Sequence, residues 1–236
     1  MLTSENSNES SSHLLIHAVG YGLLLFIFCD IVDILFPPRL MNPIWEFQTI
    51  GALIERVPLT LIGMVLVFYG GESYRGKWEK FILKLLSHAA IVIGVLFLLL
   101  IPLCISDAIR INNMNTEQIN TQFNKGVSQI QQFEQQLNKA TEQDLANLMT
   151  RLNNQSSSPK IENPQELKTR LLADAQNSQT NMKTQADATL KNKGLNLMKN
   201  SVKWCIGALI AGDLFIRIWQ ATRWVRKGKK RKLKAY

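Results

Sequence analysis

Six ionisable residues lie inside or beside strongly apolar stretches, where a charge is costly and usually marks a buried pair or a functional path. Asp30 and Asp33 are one helical turn apart and would share one face of a helix. Asp213 and Arg217 have the four-residue spacing that lets opposite charges pair on a single helix. The candidate intramembrane charge cluster is Asp30, Asp33, Glu55, Arg56, Asp213 and Arg217.

Three interpretations of these charges stay open. Asp30 or Asp33 could contact Arg56 on a neighbouring helix and so lock a helix bundle. The same carboxylates could instead be exposed at a membrane interface. Conduction of protons or ions is the third interpretation, and the sequence disfavours it because the spans contain no chain of buried Lys, Glu or His.

Motifs for catalysis or metal binding are weak. His13 and His17 have the four-residue spacing of a helical metal pair, but the sequence offers no obvious third ligand. Cys29, Cys104 and Cys205 form no CxxC motif and are interpreted as small buried hydrophobic residues. The chain has no Gly-rich phosphate loop, GxSxG or HExxH. We therefore predict no enzyme, no metal site and no cofactor; an enzyme acting on lipid-linked sugars has no motif in its favour.

The elements that position these residues are apolar runs near the roughly 20 residues that a helix needs to cross a bilayer core. A cleaved signal peptide is the rival interpretation of the first run, but residues 1–13 contain no Lys or Arg. The sequence of 236 residues therefore predicts an all-α membrane protein with four transmembrane helices. The four runs are 14–36, 53–71, 81–105 and 202–221.

Lys and Arg in the short flanks predict the orientation, because cytoplasmic loops are enriched in them. The link 72–84 contains four and the tail 223–236 contains eight, whereas the link 37–52 contains only Arg39. We therefore predict a plasma-membrane protein with both termini in the cytoplasm, and a thylakoid membrane as the alternative. The basic tail is interpreted as a topology signal that contacts anionic lipid rather than as a nucleic-acid patch.

A polar insert at 107–200, rich in Asn, Gln, Ser and Thr, separates the third run from the fourth. Apolar residues recur at steps of mainly three and four from Ile119 to Leu152, with an irregularity after Ala140, and a second such pattern follows Asn163-Pro164. Because both ends join spans on the same face, we predict a long antiparallel helical hairpin in the periplasm or lumen. Its seam includes Phe123, Ile130, Phe133, Leu137, Leu171 and Met182.

The apolar stripe of this hairpin is thin, with Ala, Ser, Thr and Gly where Leu would pack better. A single hairpin of this kind is marginally stable alone. We therefore predict that it engages a protein partner or a second copy of the chain, with a plain spacer as the alternative. Both signs of charge are interspersed along it, so no nucleic-acid partner is expected.

The segment between the first two runs combines apolar side chains at helical spacing with charges. Asn42 and Pro43 are typical of a helix start, and Trp45 suits a membrane–water interface. Residues 43–56 therefore predict an interfacial helix that runs into the second span, with Pro58 allowing a bend. Its candidate functional residues are Trp45, Glu46 and Phe47.

The order FPPRL followed by NPIWEFQTIGALIERVPLTLIGMVLVFYG resembles the HpsJ-like family of cyanobacterial membrane proteins, named for hormogonium polysaccharide biosynthesis. The close resemblance covers about 35 residues, and the rest of the chain is similar in layout. The resemblance implies an accessory role in the export or assembly of extracellular polysaccharide, and a photosynthetic bacterium as the source. It supplies no catalytic residues.

The preferred hypothesis is a non-enzymatic integral-membrane accessory or scaffold protein that supports polysaccharide export or membrane-complex assembly. Two alternatives are a membrane sensor or small transport component that uses Asp30, Asp33 and Arg56, and an assembly factor of a photosynthetic complex. The predicted segments are a cytoplasmic tail at 1–13, a three-span region at 14–106, the insert at 107–200, a fourth span at 201–222 and a basic cytoplasmic tail at 223–236.

Overall fold

The structure of the protein is a computed structural model. It describes residues 2–70, 76–155 and 163–226, with the side chains of 2–13, 77 and 152–155 outside the description. Every regular element in these ranges is an α-helix, which confirms the predicted all-α class. The basic tail beyond Arg226 and most of the Ser/Pro/Asn-rich break lie outside the described residues. The helices are α1 Leu2–Leu35, α2 Pro43–Phe68, α3 Lys77–Lys139, α4 Glu142–Gln155, α5 Pro164–Ala221 and α6 Arg223–Arg226.

Two helices start at capping residues that the sequence singles out. Asn42 precedes α2, and its side-chain oxygen accepts hydrogen bonds from the backbone N–H groups of Ile44 at 3.0 Å and Trp45 at 3.4 Å. Asn163 precedes α5, and its side-chain oxygen accepts from the backbone N–H of Gln165 at 2.9 Å. Each cap satisfies donors that the first turn of a helix leaves without an intrahelical partner.

Three described helices are long and apolar enough to cross a membrane, judged by length and composition. They are Leu14–Leu35 within α1, Pro43–Phe68, which is all of α2, and the helix from Trp78 to Lys139 within α3. Each of the first three predicted spans therefore overlaps a helix of suitable length, although the first ends one residue and the second three residues beyond its helix.

Only three of the four predicted spans lie in helices that qualify, and 202–221 in α5 is not among them. Its charged side chains Lys203, Asp213 and Arg217 lower the mean hydropathy of the run. The predicted interfacial helix 43–56 is the first half of α2 and continues without a break into its second half. Its position at a membrane surface stays a prediction.

The chain divides into two compact units. The apolar unit comprises residues 1–111 and 197–236, and the polar unit comprises residues 112–196. Helices α3 and α5 contribute residues to both units.

In the apolar unit, α3 and α5 approach each other closely at a pair of glycines. A Cβ added to Gly94 would lie 3.1 Å from the carbonyl oxygen of Gly212, and the reverse distance is also 3.1 Å. Phe97 and Phe215 stack beside this point with ring centroids 5.9 Å apart, and both side chains are buried. Small residues let helix backbones come together, which is how helices associate in an apolar solvent.

Helix α2 packs against α5 through an aromatic pair and another glycine. The rings of Phe47 and Trp204 lie 4.5 Å apart, and a Cβ on Gly51 would lie 2.2 Å from the Trp204 ring. Toward α1, a Cβ on Gly20 would lie 2.9 Å from the backbone nitrogen of Val67. Segments of α1, α2, α3 and α5 therefore pack together in the apolar unit.

In the polar unit, residues later in α3 contact residues earlier in α5, as in an antiparallel pair of helices. Lys193 Nζ donates a hydrogen bond to Asn115 Oδ1 at 3.4 Å, and Gly126 lies against Met182. The location of this helix pair in the periplasm or lumen stays a prediction. The buried hydrophobic side chains of the unit are Ile119, Leu137, Leu145, Leu167 and Ala175.

Helix α3 ends at Lys139 and α4 starts at Glu142, so the irregularity of the apolar pattern after Ala140 marks a helix break. Thr141 caps the new helix. Its hydroxyl donates to Asp144 Oδ2 at 2.6 Å, and its backbone N–H donates to the same oxygen at 3.1 Å. The two residues form a capping box, in which side chains and backbone satisfy each other's hydrogen bonds.

This cap should make the start of α4 sensitive to pH. Hydrogen bonds from the Thr141 hydroxyl, and then from its backbone N–H, hold the pKa of Asp144 below its usual value. The stabilisation is therefore fully present above the usual carboxyl pKa and is lost as the pH falls through the lowered pKa. We expect the hydrogen-exchange protection factor of the Leu145 amide to drop on acidification in the wild type but not in Asp144→Asn. An equal drop in both proteins would contradict the assignment.

Candidate functional site

Glu46 is positioned by the turn before α2 and by the first turn of that helix. Met41 has a φ of 78°, in the left-handed region, immediately before the Asn42 cap. The backbone N–H of Met41 donates a hydrogen bond to Glu46 Oε1 at 2.8 Å. A carboxylate in the first helical turn also interacts favourably with the helix dipole. Both effects hold the Glu46 carboxylate at the start of α2.

Helix α3 contributes Asp107 and Arg110, three residues apart. Arg110 Nη1 lies 3.4 Å from Asp107 Oδ1 and 3.8 Å from Glu46 Oε2. Arg110 Nη2 donates to the carbonyl oxygen of Met41 at 3.4 Å. One guanidinium therefore connects α3 to the start of α2 and to the turn before it. We call Glu46, Asp107 and Arg110 the carboxylate–arginine cluster.

The carboxyl groups of Asp107 and Glu46 both approach Arg110 Nη1, yet their environments differ. The Asp107 side chain is fully buried, whereas the side chains of Glu46 and Arg110 are 16% and 47% exposed. Asp107 Oδ1 faces Arg110, but Oδ2 has no hydrogen-bond partner among the described residues. A buried carboxylate is costly unless it is paired and hydrogen-bonded. Two carboxyl groups share one guanidinium, so the cluster can accept a proton or a further cationic group.

The predicted contact between the first two spans forms with Asp30. Arg56 Nε donates to Asp30 Oδ2 at 3.1 Å, and Arg56 Nη1 donates to the carbonyl oxygen of Ala52 at 3.2 Å. Asp33 is exposed, and no described residue forms an ion pair with it. Arg56 also lines an apolar cavity of about 280 Å³. The contact supports the interpretation of Asp30 and Arg56 as a link between helices.

The remaining predicted charges form two separate pairs. Arg217 Nε donates to Asp213 Oδ2 at 2.7 Å within α5, as the four-residue spacing predicted. Glu55 pairs with Lys203 of α5, whose Nζ donates to Glu55 Oε1 at 3.0 Å. All four side chains are more than half exposed. The structure therefore distributes the predicted charges over several contacts and does not gather them into one cluster.

The three predicted interfacial residues occupy different environments. Phe47 is buried against Trp204, Trp45 is half-buried, and Glu46 belongs to the carboxylate–arginine cluster. The first half of α2 thus contributes to the core of the apolar unit as well as to the candidate site.

The predicted hairpin seam lies between α3 and α5 in the polar unit, but it does not close. Of its six predicted residues only Leu137 is buried, and Phe133 is 40% exposed. Two open grooves, of about 430 and 220 Å³, run along the seam. Their linings include Phe123, Ile130, Phe133, Leu171 and Met182.

Sequence reasoning missed Asp107 and Arg110, because position 107 was treated as the edge of a polar insert. The signal was their spacing of three residues just after an apolar run, where a charge must be solvated or paired. It also missed Ser87, Thr222 and Arg226. The Ser87 and Thr222 hydroxyl oxygens lie 2.7 Å apart, and the Arg226 guanidinium donates to both. This contact fixes the end of α5 beside the start of α3.

The described residues hold no group of three or more His, Cys, Asp or Glu side chains arranged for a metal ion. Of the predicted histidine pair, the His13 side chain lies outside the description. His17 Nε2 is 2.9 Å from the carbonyl oxygen of Tyr69, and Nδ1 is 3.6 Å from Glu79. His17 thus connects α1 with the residue after α2 and with α3.

The chain matches the family model described as HpsJ-like protein over residues 11–223. This range includes the carboxylate–arginine cluster and the whole polar unit. No curated protein and no solved structure shows a significant match. Because the match covers most of its length, the chain belongs to the HpsJ-like protein family.

Proposed function

We propose that this protein is a non-enzymatic membrane accessory or scaffold protein whose polar unit binds a partner protein or a second copy of the chain. Membership of the HpsJ-like family and three helices apolar enough to cross a membrane are compatible with such a role. The observation that carries the proposal is the open seam between α3 and α5 in the polar unit.

The seam leaves apolar side chains that a further helix could cover. The larger groove has a predominantly apolar lining, with Phe133 at 40% exposure and Ile130 and Met182 half-buried. Amphipathic helices bind grooves of this kind by placing side chains at steps of three and four residues into them. Few side chains of the polar unit are fully buried, so covering the groove would also stabilise the helix pair.

The resemblance to a family named for hormogonium polysaccharide biosynthesis points to the process in which the partner acts. On that basis the partner is a component of the apparatus that exports or assembles extracellular polysaccharide in the plasma membrane of a cyanobacterium. The alternative partner is a photosynthetic complex under assembly, which would place the protein in the thylakoid membrane.

The packing of α5 supports a membrane position for its last part. Gly212 and Phe215 contact α3 in its most apolar stretch, and Asp213 pairs with Arg217 on the same helix, which lowers the cost of both charges. With this segment in the membrane beside the three qualifying helices, both termini would be cytoplasmic. The polar unit would then face the periplasm or lumen, and the basic tail would contact anionic lipid.

The test is a groove variant, Ile130→Gln with Phe133→Gln, in the full-length protein. Affinity purification in mild detergent, followed by mass spectrometry, should lose the co-purifying partner by at least about tenfold, because each apolar side chain buried in a groove is worth roughly 1.5–3 kcal/mol. The matched control is Leu195→Gln: Leu195 is also 40% exposed in the polar unit but lines neither groove. Abundance of both variants is measured in the same membranes.

Retention of every complex by the groove variant would contradict the scaffold proposal and would mean that the polar unit acts only as a spacer.

The second candidate function is a membrane sensor or small transport component that uses Asp30, Asp33 and Arg56. The observation in its favour is that Asp33 has no ion-pair partner among the described residues. It predicts that Asp33→Asn changes activity in cells while protein abundance stays normal.

A further inference from the structure

We propose that Cys104 of α3 and Cys205 of α5 form a dithiol pair that closes reversibly to an intramolecular disulfide. Cys104 is buried in the core of the apolar unit, and Cys205 is half-buried against the same core. Both side chains pack into the same hydrophobic cluster, between the paired helices α3 and α5. Disulfides form where the Cβ atoms of two cysteines approach to about 3.5–4.5 Å, so contact between the thiols is the first requirement.

The pairing of α3 with α5 places the two cysteines opposite each other. Ser87 and Thr222 meet across the same interface, with their hydroxyl oxygens 2.7 Å apart. Cys104 follows Ser87 by 17 residues, and Cys205 precedes Thr222 by 17 residues. Because the two helices run in opposite directions, the pairs occupy equivalent positions. The Ser87 and Thr222 oxygens and the two cysteine sulfurs are all bonded to Cβ. The contact between the two oxygens therefore indicates that the packing of α3 on α5 also brings the two sulfurs together.

The close approach of the helices extends between the two pairs. Gly94 and Gly212 bring the backbones together, and Phe97 stacks on Phe215. The buried side of α3 passes through Ser87, Ala90, Gly94, Phe97 and Cys104.

The third cysteine differs in its surroundings. Cys29 in α1 is exposed, so its interpretation as a buried hydrophobic residue was wrong. An exposed thiol reacts with a disulfide reagent to give a mixed disulfide. Cys29 therefore has to be removed before the pair is tested.

The reaction requires a disulfide oxidant, either a protein disulfide or a small one. The more accessible Cys205 thiol, as its thiolate, attacks one sulfur of the reagent and forms a mixed disulfide, which releases one reagent thiol. Cys104 then attacks the Cys205 sulfur and releases the second reagent thiol. The two protein thiols lose two protons and two electrons, and the reagent disulfide gains them and is reduced to two thiols.

The bond would join α3 to α5 one helical turn from Asp107 of the carboxylate–arginine cluster. It would close a loop of 100 intervening residues, 105–204, which contains the whole polar unit. Oxidation would therefore hold α3 and α5 together within the apolar unit and would constrain the unfolded chain.

The experiment uses full-length Cys29→Ser protein, purified reduced in mild detergent and treated with 4,4′-dipyridyl disulfide. We expect two pyridine thiones released per chain, a product mass two hydrogens below the reduced protein, and a peptide cross-link between Cys104 and Cys205. In Cys29→Ser/Cys104→Ala, Cys205 should instead keep its pyridyl adduct, because it has no thiol to resolve it. Cys29→Ser/Cys205→Ala is the reciprocal control, in which buried Cys104 should react only after denaturation.

Three outcomes would overturn the proposal. One is a stable pyridyl adduct on Cys205 while Cys104 is present. Another is two thiols that react only after denaturation. The third is a disulfide between chains, seen as a dimer on a non-reducing gel. A cross-link present in protein isolated without reductant would support the proposal directly.

Discussion

Gly94→Val is expected to separate the end of α5 from α3 and to leave little folded protein in the membrane. The smallest added atom, a Cβ, would already lie 3.1 Å from the Gly212 carbonyl oxygen and 3.2 Å from both Phe215 Cβ and an Ile216 side-chain carbon. The first of these neighbours is backbone, so no rotation of a side chain relieves the contact. Overpacking of this kind costs about 1–3 kcal/mol, and more when the backbone must move.

The matched control is Gly22→Val in α1. A Cβ on Gly22 would meet nothing within 4 Å, although Gly22 is also a glycine within a helix of the apolar unit. Replacing a helical glycine where there is room should change stability little or improve it by a few tenths of a kcal/mol. Abundance in membranes and the thermal midpoint in detergent should therefore fall for Gly94→Val and stay level for Gly22→Val. Similar losses in both proteins would show that the glycine crossing is not the cause.

The partner glycine gives a test of the mechanism, because one of its neighbours is a side chain. A Cβ on Gly212 would lie 2.8 Å from Leu98 Cδ2 and 3.1 Å from the Gly94 carbonyl oxygen. Leu98→Ala should therefore recover part of the stability lost in Gly212→Ala. The same Leu98→Ala change should recover nothing in Gly94→Ala, whose clash is with other atoms. Equal recovery in both would contradict the geometry.

The helices themselves could be predicted from the sequence, but the buried face of the apolar segments could not. Asn42-Pro43 and Asn163-Pro164 mark two helix starts, and the irregularity after Ala140 marks a break, because capping is a local interaction. In contrast, α3 between Ala89 and Ile105 is apolar on all sides, so hydrophobic periodicity has no polar face to contrast with. Only the small residues indicate which side packs.

The contacts of the candidate site depend on distant parts of the chain. Glu46 was singled out as an interfacial charge, but its neighbours Asp107 and Arg110 are more than 60 residues further on. No spacing rule joins positions so far apart. The Asp30–Arg56 contact could be anticipated because α1 and α2 follow each other along the chain and a charge in an apolar run needs a partner. The Glu55–Lys203 pair, which requires α5 beside α2, could not.

Arg110→Met is expected to destabilise the apolar unit, and Asp107→Asn is expected to reverse most of that loss. Removing the guanidinium leaves the fully buried Asp107 carboxylate beside Glu46 with no compensating charge. Loss of one partner from a buried pair costs about 3–5 kcal/mol; because Arg110 is 47% exposed, we expect roughly 2 kcal/mol. The thermal midpoint in detergent gives the ranking of the variants.

The rescue follows from charge rather than from shape. Asn has the size of Asp but no charge, and its amide N–H can donate a hydrogen bond to the Glu46 carboxylate. Asp107→Asn alone should therefore be close to the wild type, and Asp107→Asn/Arg110→Met should be clearly more stable than Arg110→Met. This positive coupling is what a double-mutant cycle measures for residues in one network.

A surface ion pair supplies the control for this cycle. Arg170 pairs with Glu166 at 3.2 Å in α5, with both side chains more than half exposed, so Arg170→Met should cost no more than about 0.5 kcal/mol.

A double variant as unstable as Arg110→Met would mean that Arg110 acts through its hydrogen bond to the Met41 carbonyl and not through the buried carboxylate. Glu46→Gln in the Arg110→Met background then separates the two explanations. It removes the charge next to Asp107 while keeping an acceptor for the Met41 N–H, so recovery by this change assigns the loss to uncompensated charge.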